Sequence, residues 1–338
     1  MALRAAGDRA RNATVVCTLE PCSHHGRTAP CTEALIAAGV RRVVVGSLDP
    51  LERGRAQGVG VLKTAGIEVA LAGGDDEHAC RDLNHGFVTW AVTGLPSVTL
   101  KLATSLDGKI ATPSGESRWI TGPDARALVH TWRAEHDAVM VGIGTALADD
   151  PRLTARDLDG DVAQPVRVVI DSTARLPLDS VLVRGSHEVP VIVVVAEAAP
   201  SDRLEGLRGA GVDVVVAGSG PRVDLRAALR LLAERDVLSV FVEGGAELAG
   251  SLIEGGLVDR VAWFLAPILI GGAAAPGALG GSGTIRLVDA PRLVDPQVTT
   301  VGDDVLVQAR LRPLPGFPMP TAVSERLPSP SRIARPGV

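Results

Sequence analysis

Three cysteines, Cys17, Cys22 and Cys31, fall within fifteen residues of a chain that has only four. That density points to metal chemistry rather than to a disulfide framework. Cys22 and Cys31 bracket the run from Ser23-His24-His25-Gly26 to Pro30, so one thiolate lies in a loop and the other at a helix start. Such a pair suits two corners of a tetrahedral zinc site. Cys17, on a short β-run, and Cys80, far along the chain, read instead as small buried hydrophobes.

A second set of residues carries charge. Lys101 lies among apolar neighbours on an alternating run, Val98 to Ala103. A buried ammonium needs a partner or a ligand, although a lysine snorkelling at a strand end shows the same pattern. Glu243 closes another apolar run, and Arg133 falls on a helical one. Two glycine-containing turns, Gly142-Ile143-Gly144-Thr145 and Gly244-Gly245-Ala246-Glu247, each follow a strand. Glycines admit a dinucleotide close to the backbone, and helix-start N–H groups attract anions. A compact strand–helix turn of any α/β fold looks alike. The loop Ser114 to Trp119 offers hydroxyls and a flat indole, as does a surface loop with one anchoring tryptophan.

The elements that must position these residues alternate. Residues 14–19 form a β-run, 32–38 a helix stopped by Gly39, 41–46 a buried strand, and the rhythm continues through 58–65 and 67–71. Met1 to about Arg11 reads as the end of a helix without an N-cap. Turn residues Thr93-Gly94-Leu95-Pro96 mark a boundary. Beyond it, strands are expected at 98–103, 138–142, 166–171, 189–195, 212–217, 239–243 and 258–265, with helices at 125–135 and 225–235 between them. The fold class is α/β, with a mainly parallel sheet covered on both faces in the second domain. The proline-rich run 312–338 has no periodicity and reads as disordered.

Composition narrows the class. The 338 residues are enough for two domains, and 46% apolar with 22% charged content fits a folded protein. A net charge of −5 argues against a general nucleic-acid binder. No span approaches the ~20 apolar residues of a membrane helix. The N-terminal stretch has no apolar run of a secretory leader, which predicts a cytoplasmic protein.

Three strings carry more than composition does: KLATSLDGKIATPSGESRWITG over 101–122, VGIGTALADDPRLTAR over 141–156, and EPCSHHGRT over 20–28. Together they resemble the bifunctional deaminase/reductase family of riboflavin biosynthesis, the RibD family, and the likeness runs from about Leu3 to about Leu311. The resemblance implies a cytidine-deaminase-like three-layer α/β domain over 1–93, lacking its first elements, and a dihydrofolate-reductase-like α/β domain over 95–311. It implies reduction of the phosphoribosylaminopyrimidine 5-amino-6-(5-phosphoribosylamino)uracil to its ribityl product with NADPH, and a homodimer. By the same resemblance Lys101 and Glu243 are the charged groups of the substrate pocket. Ser117, Arg133, Leu153, Arg156 and Glu243 surround the substrate. Ala103, Trp119, Thr145, Asp149 and Ser172 contact NADPH, as does the run Gly245, Ala246, Glu247, Leu248, Ala249, Gly250, Ser251. Trp90, Trp263 and Phe264 are expected in cores, and His78, His85 and His187 at the surface.

For the first domain the resemblance implies zinc on Cys22 and Cys31, and deamination of 2,5-diamino-6-(5-phosphoribosylamino)pyrimidin-4-one. The family places a His-x-Glu just before an Ala-Leu-Arg helix, supplying a third ligand and a proton shuttle. The corresponding helix here is Met1-Ala2-Leu3-Arg4. The expectation is therefore that this chain binds zinc weakly and does not deaminate, and that a longer, bifunctional product is made in the cell. A deaminase-like half kept as a non-catalytic scaffold is the alternative from another class.

Overall fold

The computed structural model describes residues 2–26 and 28–317, and the chain divides into two compact units. The first runs to Thr93 and resumes at Leu314; the second is Gly94–Pro313. No helix among the described residues is long and apolar enough to cross a membrane.

The first unit contains α1 (Ala2–Ala6), β1 (Thr14–Cys17), α2 (Cys31–Ala37), β2 (Arg42–Val45), α3 (Gln57–Thr64), β3 (Glu68–Leu71), α4 (Gly74–Leu83) and α5 (His85–Thr93). Its three strands lie in the order β1-β2-β3, all parallel. Parallel neighbours need a crossover, and α2 and α3 supply the two. Val43 and Val45 on β2, Val69 and Leu71 on β3, Leu35 on α2 and Leu62 on α3 close one core. The sequence rhythm located the strands and crossovers, but the two helices between Gly74 and Thr93 had no place in it.

Within the run expected to be disordered, residues 312–317 make defined contacts. Arg312 donates to Asp259 at 2.6 Å within the second unit. In the first, Arg81 donates to the Pro315 carbonyl at 2.5 Å. The Phe317 ring lies 5.0 Å from the Arg55 guanidinium and 4.7 Å from that of Arg81. Residues 312–317 are therefore held by cation–π and ionic contacts that proline content cannot reveal. Residues 318–338 lie outside the described residues.

The second unit adds β4 (Ser97–Ser105), α6 (Pro123–Glu135), β5 (Ala138–Gly142), α7 (Ile143–Asp149), β6 (Val166–Ile170), α8 (Val181–Arg184), β7 (Val191–Val195), α9 (Ser201–Gly209), β8 (Asp213–Val216), α10 (Leu225–Ala233), β9 (Ser239–Val242), α11 (Ala246–Glu254), β10 (Arg260–Ala266), β11 (Val294–Val301) and β12 (Asp304–Arg310). Its nine strands are ordered β11-β12-β10-β4-β9-β5-β6-β7-β8. Only the pairings of β12, with β10 and β11, are antiparallel. The hairpin β11–β12 was not anticipated, because the exposed run Val294-Asp295-Pro296-Gln297 lacks the apolar alternation of a half-buried strand.

Alternation assigns each strand residue to one of two cores. Val98, Leu100 and Leu102 on β4, Met140 on β5, and Val240 and Val242 on β9 pack with Leu229 on α10 and Leu252 on α11. Val139 and Val141 on β5 and Phe241 on β9 pack on the other face with Val129 on α6 and Ile143 on α7. The odd-numbered residues of β4 and β9 thus face α6, which decides where the charged groups go.

Candidate active site

Lys101 and Glu243 share that face. β4 and β9 are parallel, with Thr99 opposite Phe241 and Leu100 opposite Val242. Continuing the register sets Lys101 beside Glu243, whose N–H donates to the Met140 carbonyl and extends the sheet toward β5. Across them lies α6. Trp132 meets Phe241 edge-on at 5.9 Å and Phe264 at 5.6 Å, and its neighbour Arg133 is thereby carried over the strand ends.

Arg133 spends its fork on the carboxylate. Nε donates to Glu243 Oε1 at 2.5 Å and Nη2 to Oε2 at 2.9 Å. Both side chains are largely buried, 11% and 14% exposed. Burial pushes the Glu243 carboxyl up, but the charges of Arg133 and Lys101 outweigh it and hold it below the usual range. Lys101 has no carboxylate at ion-pair distance among the described residues, and its ammonium lies 6.0 Å from the Phe264 ring. Burial pulls its pKa down, opposed by Glu243 and reinforced by Arg133. The direct partner of Glu243 is therefore Arg133 rather than Lys101. Arg133 keeps the second N–H of Nη2 and the two of Nη1 for others, and Nη1 donates to the Thr154 carbonyl at 3.1 Å.

The segment after α7 closes this side. Arg156 is partly exposed, with Nη1 3.5 Å from Thr154 Oγ1 and Nε 3.9 Å from Asp157. Gln164 brackets Ala155, accepting its N–H at 3.0 Å and donating to its carbonyl at 2.8 Å. Leu153, expected to touch substrate, is 2% exposed and belongs to the core, so only its backbone is offered there. Two groups escaped the sequence reading. His130 lies three residues before Arg133, and that helical spacing was the available signal. The Thr154 carbonyl had none.

The expected cofactor residues gather at the ends of β5, β6 and β9. Gly142 caps α7 and Gly245 caps α11. A Cβ on Gly245 would lie 3.0 Å from Thr145 Oγ1, so the two helix starts approach closely and a larger residue there would press on the Thr145 hydroxyl. Within 245–251 the side chains of Leu248 and Ala249 are core, and Gly250 abuts the Gly280 carbonyl. What this run can offer an anion is the N–H groups of its first turn, at Ala246 and Glu247, rather than seven contacting residues; Ser251 is only half-buried. Asp149 is bound by Arg118, Nη2 donating to its carbonyl at 2.7 Å. Trp119 is 69% exposed, with Arg126 4.6 Å from its ring. Ser117 is exposed, Ala103 half-buried, and Ser172 Oγ accepts the Val223 N–H at 3.1 Å.

In the first unit the two expected thiols do converge. The Cys31 N–H donates to Cys22 Sγ at 3.3 Å, and burial, then the Cys22 thiol, raise the Cys31 pKa. The Cys22 carbonyl accepts both the N–H and the hydroxyl of Thr32, fastening the loop to α2. A Cβ on Gly58 would lie 1.9 Å from the Pro21 carbonyl oxygen, so glycine lets α3 reach this loop. Burial pushes the Cys17 thiol up to about 11, in keeping with an inert buried sulfur. The donor set fits half of a zinc site: no group of three or more His, Cys, Asp or Glu able to hold a metal occurs among the described residues. His25 lies 3.9 Å from Glu33 on the exposed side.

The profile of the RibD C-terminal domain matches residues 96–307, and that of the cytidine and deoxycytidylate deaminase zinc-binding region matches 1–47. The chain is 39% identical to riboflavin biosynthesis protein RibD of Bacillus amyloliquefaciens over 309 residues, 91% of this chain and 82% of that one. It is 42% identical to the Actinobacillus pleuropneumoniae protein of that name over 299 residues, 87% of this chain and 77% of the other. Among solved structures, Acinetobacter baumannii RibD matches at TM-score 0.80 and 37% identity, covering 91% of this chain and 83% of its own. A Thermotoga maritima diaminohydroxyphosphoribosylaminopyrimidine deaminase/5-amino-6-(5-phosphoribosylamino)uracil reductase matches at 0.74 and 34%, covering 91% and 81%. A two-unit α/β chain with these profiles, relatives and strand ends belongs to the RibD family of riboflavin biosynthesis proteins.

Proposed function

We propose that the unit Gly94–Pro313 reduces 5-amino-6-(5-phosphoribosylamino)uracil, opening its ribosyl group to a ribityl chain. NADPH, when bound, supplies the hydride. The observation that carries this reading is the largely buried group formed by Lys101 in mid-β4, Arg133 on α6 and Glu243 just past the end of β9, near the paired helix starts at Gly142 and Gly245. Reduction at C1′ of the opened sugar adds a hydride to carbon and a proton to nitrogen. Lys101 is suited to hold that centre and deliver the proton, because burial makes its ammonium a readier acid than a free lysine. Glu243, fixed by Arg133, orients the sugar hydroxyls. Arg156 keeps an open guanidinium for the phosphate. The helix-start N–H groups of α11 suit the cofactor's pyrophosphate.

For the first unit the reading is a pyrimidine deaminase domain with Cys22 and Cys31 as zinc ligands. The protein is read as cytoplasmic and self-associating. β11 is an exposed edge strand next to exposed Ile285, Leu287 and Val288, with Arg286, Asp289, Arg292 and Asp295 balancing in charge, which suits a second copy.

The decisive experiment follows NADPH absorbance with the deaminated substrate and the full chain. Loss of absorbance with formation of the ribitylamino product is expected. An intact, NADPH-binding protein that consumes no NADPH with this substrate would overturn the reading.

A further inference from the structure

His130 is anchored to the candidate site through one ring nitrogen and left open at the other. Nδ1 lies 3.2 Å from the Thr154 carbonyl oxygen. That oxygen can only accept, so Nδ1 carries the hydrogen and Nε2 the lone pair. Arg133 Nη1 is 3.5 Å from Nδ1, at the limit of a contact, and donates instead to the same carbonyl at 3.1 Å. Nε2 has no partner among the described residues and is not sealed off, for the ring is only half-buried.

The charged groups around the ring come from three elements. Arg133 is on its own helix, Arg156 and Asp157 are on the segment after α7, and Glu243 is at the end of β9. Burial first, then the two guanidiniums, lower the ring's pKa, so the free protein holds it neutral at pH 7. An arriving phosphate dianion would reverse that balance. It would also need more donors than Arg133 can give, since three of its five N–H groups are already on Glu243 and the Thr154 carbonyl.

We propose that His130 is a further substrate-contacting residue, whose Nε2 takes one proton from solvent as a sugar phosphate binds and donates it in a hydrogen bond to the phosphate. No other bond is made or broken, and the proton returns to solvent on release. The inference rests on the proposed substrate, in that it needs a phosphate beside Arg156.

The test is isothermal titration of the full chain with ribose 5-phosphate, in buffers of different ionisation enthalpy at pH 7.5. The wild type is expected to take up a fraction of a proton per ligand bound. His130→Asn and His130→Gln are expected to take up none and to bind about tenfold more weakly, the size of one charge-assisted hydrogen bond. The asparagine keeps an amide donor at the place of Nδ1 that can still reach Thr154, so it guards against a loss that is merely structural. Arg156→Ala should bind more weakly yet keep the uptake. Unchanged uptake in both His130 variants would overturn the role of His130 and leave the reductase reading standing. Failure of the wild type to bind ribose 5-phosphate would overturn the phosphate site and this inference with it.

Discussion

The Arg133 guanidinium is forked onto the Glu243 carboxylate, and the two residues are 110 positions apart in the chain. The fork clamps α6 to the end of β9, beside Lys101 in the middle of β4. Desolvating such a pair costs most of what their attraction returns, so its main consequence is geometric. Removing one partner is different, because a buried charge is left alone. Arg133→Ala should destabilise the second unit by about 3 kcal/mol, with Arg133→Ala/Glu243→Gln recovering part of the loss. Urea unfolding of the wild type, both single variants and the double variant measures this. Additive losses would show that the pair is not coupled.

The acid side of the stability curve reports the same carboxylate. Its folded pKa is held below the ordinary carboxyl value of 4.5 by Arg133 and Lys101 against burial. A depressed carboxyl contributes stability that is fully present above the unfolded pKa and is lost as pH falls through the folded one. The stability gap between wild type and Glu243→Gln should be flat from neutral pH down to about 5.5 and should close below about 4.5, toward and through the folded pKa. A gap that widens on acidification would contradict the sign.

Lys101 shows the opposite bookkeeping. Burial lowers its pKa from 10.5, so below the folded value the buried ammonium costs stability, and the cost fades as pH rises through that value toward 10.5. Lys101→Met should melt at or above the wild-type temperature at pH 7. Its turnover should fall by roughly 10–150-fold, equivalent to ~1.5–3 kcal/mol for a lost charge-assisted contact, with NADPH affinity nearly unchanged. Fluorescence titration of NADPH separates the two readouts, and a collapse in cofactor affinity would move Lys101 out of the substrate pocket.

The reductase unit should fold and work alone, provided it ends after Arg312. The Leu311 N–H donates to the Asp259 carbonyl at 2.9 Å and Arg312 pairs with Asp259 at 2.6 Å. A segment covering 94–313 should match the full chain in NADPH oxidation. One ending at Arg310 should melt several degrees lower, having lost an ionic hydrogen bond worth ~1.5–3 kcal/mol. Equal melting of the two would remove any role for those last residues.

Glu20 is the corresponding clamp of the first unit. It is 5% exposed and accepts the N–H groups of Asp49, Ala56 and Val59 at 3.0, 2.9 and 3.1 Å. Glu20→Ala strands three donors next to the cysteine loop, each costing about 1–3 kcal/mol. Calorimetry should show the first unit melting early and the second unmoved. A zinc-loaded variant that melts like the wild type would sink this assignment.

Local pattern carried a great deal. The rhythm of strands and helices is a property of neighbouring residues, so it announced a parallel sheet covered on both faces, and the alternation over 98–103 set Lys101 apart from its apolar neighbours. The strings around Cys22, Lys101 and Gly142 were enough to identify the family, and with it the candidate site residues. What spacing could not reveal were relationships between distant positions. The fork from Arg133 to Glu243, the anchoring of His130 by Thr154, the three donors on Glu20 and the seat of Phe317 between Arg55 and Arg81 all depend on register between elements. The β11–β12 hairpin escaped for a related reason: an exposed edge strand is held by ladder hydrogen bonds to its neighbour and leaves little apolar trace in its own residues. Periodicity tells a residue which face it occupies. Only the packed chain decides what waits for it there.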